Sequence, residues 1–183
     1  MEYRLGKLKD IEAILKLHAM YQVDTIAEED KADGFITTSF SEEELTQLIT
    51  FEQGLFVAED QGEIVAYAMA ASWVFWSKWP MFAHMIKALP GLSYHGIALT
   101  EENSYQYGPV CVRKDYRGKG VFQEIFEFAL QAMSSRFEVL VTFINKINPR
   151  SYKAHVSKAR LDVIQEFEYN NNQYFELACL TKR

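Results

Sequence analysis

Cysteine, proline and positive charge are all scarce in this sequence. Its 183 residues include two cysteines and four prolines, and 25 acidic residues outnumber 19 basic ones, for a formal net charge of −6. Both cysteines, Cys111 and Cys179, stand inside apolar runs. This predicts burial of both side chains rather than a disulfide framework or a metal cluster. A nucleic-acid-binding protein usually shows a basic excess, so no nucleic-acid partner is expected, and the acidic balance mildly favours a cationic one such as an amine.

Long apolar runs are missing as well. The longest extends from Ile64 to Trp76, contains Ser72, and is too short to span a bilayer. Charged residues interrupt any apolar core of a signal peptide near the N-terminus: Glu2, Arg4, Lys7 and Lys9. We therefore expect a soluble cytoplasmic protein that does not associate with a membrane.

What the sequence does contain is enough apolar material for a sizeable core. Hydrophobic residues make up 49% and aromatic residues 14% of the chain. No internal repeat, low-complexity segment or linker interrupts it. A chain of this length and composition predicts one domain covering residues 1–183.

Hydrophobic periodicity and capping signals predict mixed helices and strands. Helices are expected after Asp10, after the capping box that begins at Ser41, after Pro80, after Gly120, and after the pair Asn148-Pro149. Alternating or continuous apolar runs predict strands at 3–5, 55–59, 63–73, 107–112, 139–144, 161–169 and 173–181. The strand at 107–112, the helix after it and the strand at 139–144 form a predicted βαβ unit.

The most informative stretch covers residues 110–122, where an apolar strand leads into a glycine-containing loop and then a helix. A helix N-terminus carries unpaired N–H groups and a partial positive charge, so it attracts anions such as phosphate. Arg117 and Lys119 add positive charge at the same place. The alternative is an ordinary strand-to-helix turn with two convenient glycines. A P-loop is excluded because valine follows Gly120, and a dinucleotide-binding motif is excluded because Gln123 stands at its third glycine position.

What remains is Arg-x-x-Gly-x-Phe, from Arg117 to Phe122, after the apolar strand end Val110-Cys111-Val112. This pattern resembles the signature of the GNAT superfamily of acyl-CoA-dependent N-acyltransferases, [Gln/Arg]-x-x-Gly-x-[Gly/Ala]. Phe122 stands where that family usually has glycine or alanine. Its side chain must therefore point away from the pyrophosphate, or the cofactor must sit slightly differently.

A second group of residues supports the resemblance. The family often places an asparagine on the helix after the next strand, a small residue three positions on and a tyrosine seven positions on. Asn148, Ser151 and His155 stand at those spacings, with histidine in place of tyrosine, and Lys158-Ala159-Arg160 replaces the usual Leu-Gly-Phe. The order of predicted elements is similar to the family's over nearly the whole chain.

The resemblance implies a mixed α/β (α+β) fold. Its central sheet would be mostly antiparallel, with one parallel, splayed pair of strands, and helices would flank it. It also implies acetyl-CoA as co-substrate and no metal. The strand end would bind the pantetheine arm and the loop amides the pyrophosphate, with these residues at the cofactor: Val110, Cys111, Val112, Arg117, Gly118, Lys119, Gly120, Val121, Phe122, Asn148 and Ser151.

The implied activity is N-acetyl transfer to a primary amine by direct attack on the thioester, through a tetrahedral intermediate. The acceptor would be a small-molecule amine or a protein amino group. By position, His155 is the first candidate for the acid that protonates the leaving thiolate, and Tyr152 is the second. Glu102 and Tyr107 are the first candidates for the base. Simpler readings stay open: Asn148 as a plain helix cap and His155 as a structural histidine.

The segment from Trp73 to Leu92 is unusually rich in aromatic residues. It could form a wall of the acceptor pocket, or an additional core or dimer-interface helix, so a homodimer stays open. Two other functions remain as alternatives at this stage. One is a catalytically weak or inactive CoA-binding module that acts as a sensor or assembly subunit. The other is an interaction domain built on the aromatic residues from Trp73 to Phe82.

Overall fold

The computed structural model describes the backbone of residues 1–183 and all side chains except those of Ala32 and Asp33. Nine strands are present: β1 (Glu2–Leu5), β2 (Leu55–Asp60), β3 (Glu63–Ala71), β4 (Ser93–Tyr94), β5 (Ile97–Ala98), β6 (Ser104–Val112), β7 (Val139–Asn145), β8 (Asp162–Tyr169) and β9 (Asn172–Leu180). Six α-helices accompany them: α1 (Ile11–Ala19), α2 (Glu42–Gln47), α3 (Trp73–Trp76), α4 (Pro80–Ala88), α5 (Val121–Met133) and α6 (Pro149–Lys153).

Seven of the strands form one sheet in the order β1-β2-β3-β6-β7-β9-β8, and β4 and β5 form a separate small hairpin. The pair β6–β7 is parallel, whereas the other pairings with a described register in the large sheet are antiparallel. This confirms the predicted fold class. The small hairpin had no sequence signal of its own. None of the helices in the described part of the chain is long and apolar enough to cross a membrane.

The chain's contacts divide it into two compact units, which are described separately. The first consists of residues 1–70 and 108–129, and the second of residues 71–107 and 130–183. Since β6 crosses this division, its end belongs to the first unit and its beginning to the second. The expectation of one domain over residues 1–183 stays a prediction.

In the first unit, the capping signals operate as expected at α2 and differently at α1. Ser41 and Glu44 form the predicted capping box. Asp10 precedes α1, but its carboxylate accepts hydrogen bonds from the Lys7 amide at 2.8 Å and the Arg4 guanidinium at 2.8 Å instead of capping the helix. A short 3₁₀ turn before α1 accounts for the difference, because it places Asp10 in helical backbone geometry already.

In the second unit, two helix starts and one turn follow their sequence signals. Pro80 is at the first turn of α4, and the Asn148 side chain accepts a hydrogen bond from the Ser151 amide at the start of α6. The β8–β9 hairpin turns at Asn170 and Asn171, whose φ angles are +50° and +61°. Asparagine tolerates this left-handed region better than most residues.

The predicted strand 63–73 is wrong at its C-terminal end. It ends at Ala71, because Ser72 caps α3 with its hydroxyl, which accepts from the Phe75 amide at 3.5 Å. The helix buries two indoles that need hydrogen-bond acceptors. Trp73 donates to the Ser104 hydroxyl at 3.0 Å and Trp76 to the Gln106 carbonyl at 3.2 Å.

Candidate active site

The loop that follows β6 in the first unit connects the end of this strand to α5. A 3₁₀ turn, Lys114–Tyr116, is followed by Gly118 and Gly120, with φ angles of +79° and +84°. A side chain is disfavoured in this backbone region, so glycine is favoured by the conformation itself. A Cβ built at either position meets no heavy atom within 4 Å. The loop therefore offers exposed backbone that a ligand can approach closely.

The same loop opens α5. The Glu124 amide donates to the Gly120 carbonyl at 3.1 Å, so the helical hydrogen bonds begin with this glycine. The first amides of a helix have no partner within it and point out of its N-terminus, where the helix dipole favours anions. Positive φ angles, open space beside the glycines and a helix N-terminus together suit a pyrophosphate group.

The cationic side chains of this loop are held against aromatic rings. The Arg117 guanidinium lies 4.8 Å from the centre of the Tyr21 ring, and its Nε donates to the Val112 carbonyl at 2.9 Å. The Lys119 ammonium lies 5.1 Å from the centre of the Tyr116 ring. Positive charge is thus fixed near the helix N-terminus.

Phe122, the departure from the family pattern, lies along the helix. Its ring stacks on that of Phe126 in the next turn, with ring centres 6.3 Å apart and planes 27° apart. The Val110 and Val112 side chains are half-buried, and Cys111 is buried with a free thiol. Cys111 and Cys179 are both buried, which confirms the expectation for their side chains.

In the second unit, the parallel ladder between β6 and β7 contains three residue pairs, of which Gln106 and Val141 are the last. At the next position the Tyr107 carbonyl accepts from side chains instead. Thr142 donates its hydroxyl to it at 2.7 Å and Gln106 its amide at 2.5 Å. The Tyr107 side chain is fully buried, and burial raises the pKa of its hydroxyl well above the usual value.

His155 lies in the π-helical turn that continues α6, and it is buried at 4% exposure. Its Nδ1 donates to the Ser151 carbonyl at 2.8 Å, and its ring meets the Tyr107 ring edge to face at 6.1 Å. Burial lowers the pKa of His155 to about 4, against the opposing effect of the Ser151 carbonyl. At neutral pH the ring is uncharged with its proton on Nδ1, so Nε2 is a hydrogen-bond acceptor.

The remaining predicted site residues have plainer surroundings. Tyr152 is half-buried and its ring packs on Phe175, with centres 4.6 Å apart. Glu102 is exposed in the turn before β6. Ser151 supplies its carbonyl to His155 and its amide to the Asn148 cap. The roles of all these residues toward cofactor and acceptor stay predictions.

Sequence reasoning passed over one polar residue in the second unit. Glu176 stands in the apolar run from Phe175 to Leu180 and its side chain is fully buried. A single carboxylate inside an apolar run was the sequence signal that could have identified it.

Comparison with solved structures finds proteins of similar fold. Similar folds occur in smu.2055 from Streptococcus mutans UA159 (15% identity, 100% of each chain covered, TM-score 0.67) and in the ribosomal-protein-alanine N-acetyltransferase from Brucella melitensis (16% identity, 98% of this chain and 99% of that one, TM-score 0.64). Another is yncA from Salmonella typhimurium, whose structure contains its cofactor acetyl-CoA (13% identity, 100% of this chain and 94% of that one, TM-score 0.65).

A search of curated protein sequences finds no match. The sequence profile of the Acetyltransferase (GNAT) family, however, matches residues 17–157, which include both the loop after β6 and the turn that carries His155. The chain therefore belongs to the GNAT family of acetyltransferases.

Proposed function

We propose that this chain is an N-acetyltransferase that uses acetyl-CoA and acetylates the amino group of a small molecule or protein. Family membership supports acetyl transfer in general. The observation that carries the cofactor assignment is the loop at Gly118 and Gly120, where positive φ angles and open space adjoin the start of α5. Val110, Cys111 and Val112 would bind the pantetheine arm through their backbone, and the loop amides would bind the pyrophosphate.

Acetyl-CoA supplies an activated acetyl thioester. The acceptor amine attacks its carbonyl carbon, the carbon–nitrogen bond forms, and the carbon–sulfur bond breaks as the tetrahedral adduct collapses. A thiol pKa of about 8.5 makes the thiolate a fair leaving group near neutral pH, so an acid accelerates the step without being indispensable.

The tautomer of His155 bears on the assignment of that acid. Its N–H already donates to the Ser151 carbonyl, and its lowered pKa keeps the second nitrogen unprotonated. A proton acceptor in this position would polarise a neighbouring hydroxyl rather than protonate sulfur. We therefore favour Tyr152 as the donor to the thiolate and His155 as a positioning residue, and Asn148 caps α6 whether or not it contacts cofactor.

The cofactor assignment is tested by isothermal titration with acetyl-CoA. Wild-type protein should bind it saturably, and Gly120→Ala should bind at least about tenfold more weakly, because a methyl group enters the space assigned to the phosphates. Gly62→Ala is the matched control. That glycine also has a positive φ, +83°, with no atom near a built Cβ, so it shares the backbone cost of about 1 kcal/mol.

Two results would contradict the proposal. If acetyl-CoA did not bind at millimolar concentration, it would not be the cofactor. If both alanine variants lost affinity equally, the loop at Gly118 and Gly120 would not be its specific binding site. Saturable binding without release of CoA across a panel of amines would instead favour the non-catalytic CoA-binding module.

A further inference from the structure

Glu176, on β9 of the second unit, is a fully buried carboxylate that is only half satisfied. Its Oε2 accepts a hydrogen bond from the Gln165 amide at 2.5 Å. Its Oε1 is buried and has no hydrogen-bond partner among the described residues. A buried carboxyl oxygen without a partner costs several kcal/mol, so the fold keeps this group at the expense of stability.

Two aromatic residues are neighbours of Glu176 on this face of the sheet. Phe143 lies directly opposite Glu176 across the β7–β9 ladder, and Tyr174 lies two residues earlier on the same face of β9. Phe143 contacts Phe82 at 5.6 Å and Tyr174 at 5.7 Å, measured between ring centres. We refer to the rings on this face as the aromatic cluster: Trp76, Phe82, Phe143, Phe167 and Tyr174.

The carboxylate is buried, but the residues next to it are partly exposed. Three of its immediate neighbours, Phe143, Gln165 and Tyr174, are half-buried, so their side chains reach the surface. Rotation of one of these side chains would open a path to Oε1. A carboxylate next to aromatic residues is a chemically suitable site for an ammonium group, which can bind the negative charge and the ring faces together.

Other titratable groups lie on β8, β9 and α4. On β8, Asp162 accepts from the Tyr94 hydroxyl at 2.5 Å. Burial raises the pKa of Tyr174 above its usual value, so this residue stays neutral near pH 7. From α4, His84 lies against the rings of Phe167 and Tyr169. Burial raises the pKa of Glu176 itself to about 7, against the opposing effect of the Gln165 hydrogen bond.

We propose that Glu176 and the aromatic cluster form the acceptor site, in which Oε1 binds the ammonium group of an amine with an aromatic or other apolar body and takes one of its protons. The inference rests on the proposed acetyl transfer. It also adds an amine class and a base that the sequence did not identify.

The ammonium gives one proton to the Glu176 carboxylate, which becomes a carboxylic acid, and the neutral amine then forms its bond to the acetyl carbon. A second proton leaves the new amide nitrogen and ends on the sulfur of CoA after the carbon–sulfur bond breaks. Glu176 returns its proton to solvent before the next cycle, so the reaction releases one proton for each ammonium acetylated.

The direct test compares wild-type protein with Glu176→Gln, using 2-phenylethylamine as probe and 2-phenylethanol and butylamine as controls for the charge and the ring. We expect Glu176→Gln to bind 2-phenylethylamine at least tenfold more weakly and to lower kcat/KM for its acetylation about 100-fold. Acetyl-CoA affinity should not change. Glu166→Gln is the matched control, because Glu166 is a neighbouring, exposed carboxylate paired with Lys146 and its loss should leave both values unchanged.

A second variant covers the case in which Glu176→Gln fails to fold. Gln165→Leu removes the hydrogen bond that stabilises the charged form of Glu176, so the pKa of Glu176 should rise further. The acidic limb of the pH profile of kcat/KM should then move to higher pH. An unmoved limb would overturn the assignment, as would unchanged amine binding in a folded Glu176→Gln.

The outcomes separate this inference from the proposed function. If 2-phenylethylamine binds wild-type protein but not Glu176→Gln, and no acetyl transfer occurs, the amine site stands and the proposed function fails. If transfer occurs and Glu176→Gln performs it as well as wild type does, the proposed function stands and this inference fails.

Discussion

The loop after β6 and the buried polar groups of the second unit are built in opposite ways. The loop consists of backbone: two glycines with positive φ and the first turn of α5. The second unit presents two side chains, His155 and Glu176, whose pKa values burial shifts away from their usual values. A site made of backbone amides costs the fold little, whereas a site made of buried titratable groups lowers stability at some pH.

The largest expected effect is a loss of folding stability at acidic pH, caused by the buried His155. Because the pKa of His155 is lowered from 6.5 to about 4 in the folded protein, the unfolded state binds a proton more readily between these values. Stability should therefore fall as the pH drops from 6.5 to 4, by about 3 kcal/mol at 1.36 kcal/mol per pH unit.

Urea unfolding of wild type and His155→Gln across this range measures the difference. The variant should lack this part of the pH dependence, and His95→Gln should retain it because the His95 side chain is 59% exposed. If the unfolding free energy of His155→Gln kept the full wild-type dependence on pH, burial of His155 would not be the cause of that dependence.

The next effect has the opposite pH dependence. The folded pKa of Glu176, about 7, exceeds its usual value of 4.5, so its contribution to stability is present below pH 4.5 and is lost as the pH rises through 7. Because position 176 no longer titrates, Glu176→Gln should be about 3 kcal/mol more stable than wild type at pH 8, with little advantage at pH 4.

Thermal and urea unfolding at both pH values check this, with Glu166→Gln as the control of unchanged stability. A variant that lost activity and gained stability would show that Glu176 is kept for function. A destabilised variant at pH 8 would identify it as a structural residue.

The smallest expected effect concerns the loop. Phe122→Ala should change acetyl-CoA affinity by less than about threefold, because the Phe122 ring packs on Phe126 and the proposed pyrophosphate contacts come from backbone amides. Isothermal titration measures it. A tenfold gain in affinity would show that the ring crowds the cofactor and that the loop depends on side chains after all.

The loop could be predicted from the sequence because the residues that determine its conformation are close together in the chain. Gly118, Gly120 and the apolar spacing of α5 lie within a few residues of one another, and the same holds for Pro80 and the asparagine turn of the last hairpin. Short-range signals of this kind act through backbone geometry, which neighbouring residues largely determine.

The surroundings and protonation states of the buried polar residues could not be predicted in this way. The state of His155 depends on a hydrogen bond to the Ser151 carbonyl and on burial beside Tyr107, which is 48 positions earlier in the sequence. Glu176 acquires its environment from three strands at once. The end of β3 was wrong for a related reason, since Trp73 begins a helix whose indole bonds to Ser104, 31 positions away.

The position of Arg117 has a consequence for the kinetics of cofactor binding. Its guanidinium is already stacked on Tyr21 and bonded to Val112 in the protein alone. A long side chain that is ordered during folding loses no further rotamer entropy when a ligand arrives. The loop should therefore meet the anion as a rigid receptor, and acetyl-CoA association should proceed in one fast phase whose rate falls as ionic strength rises.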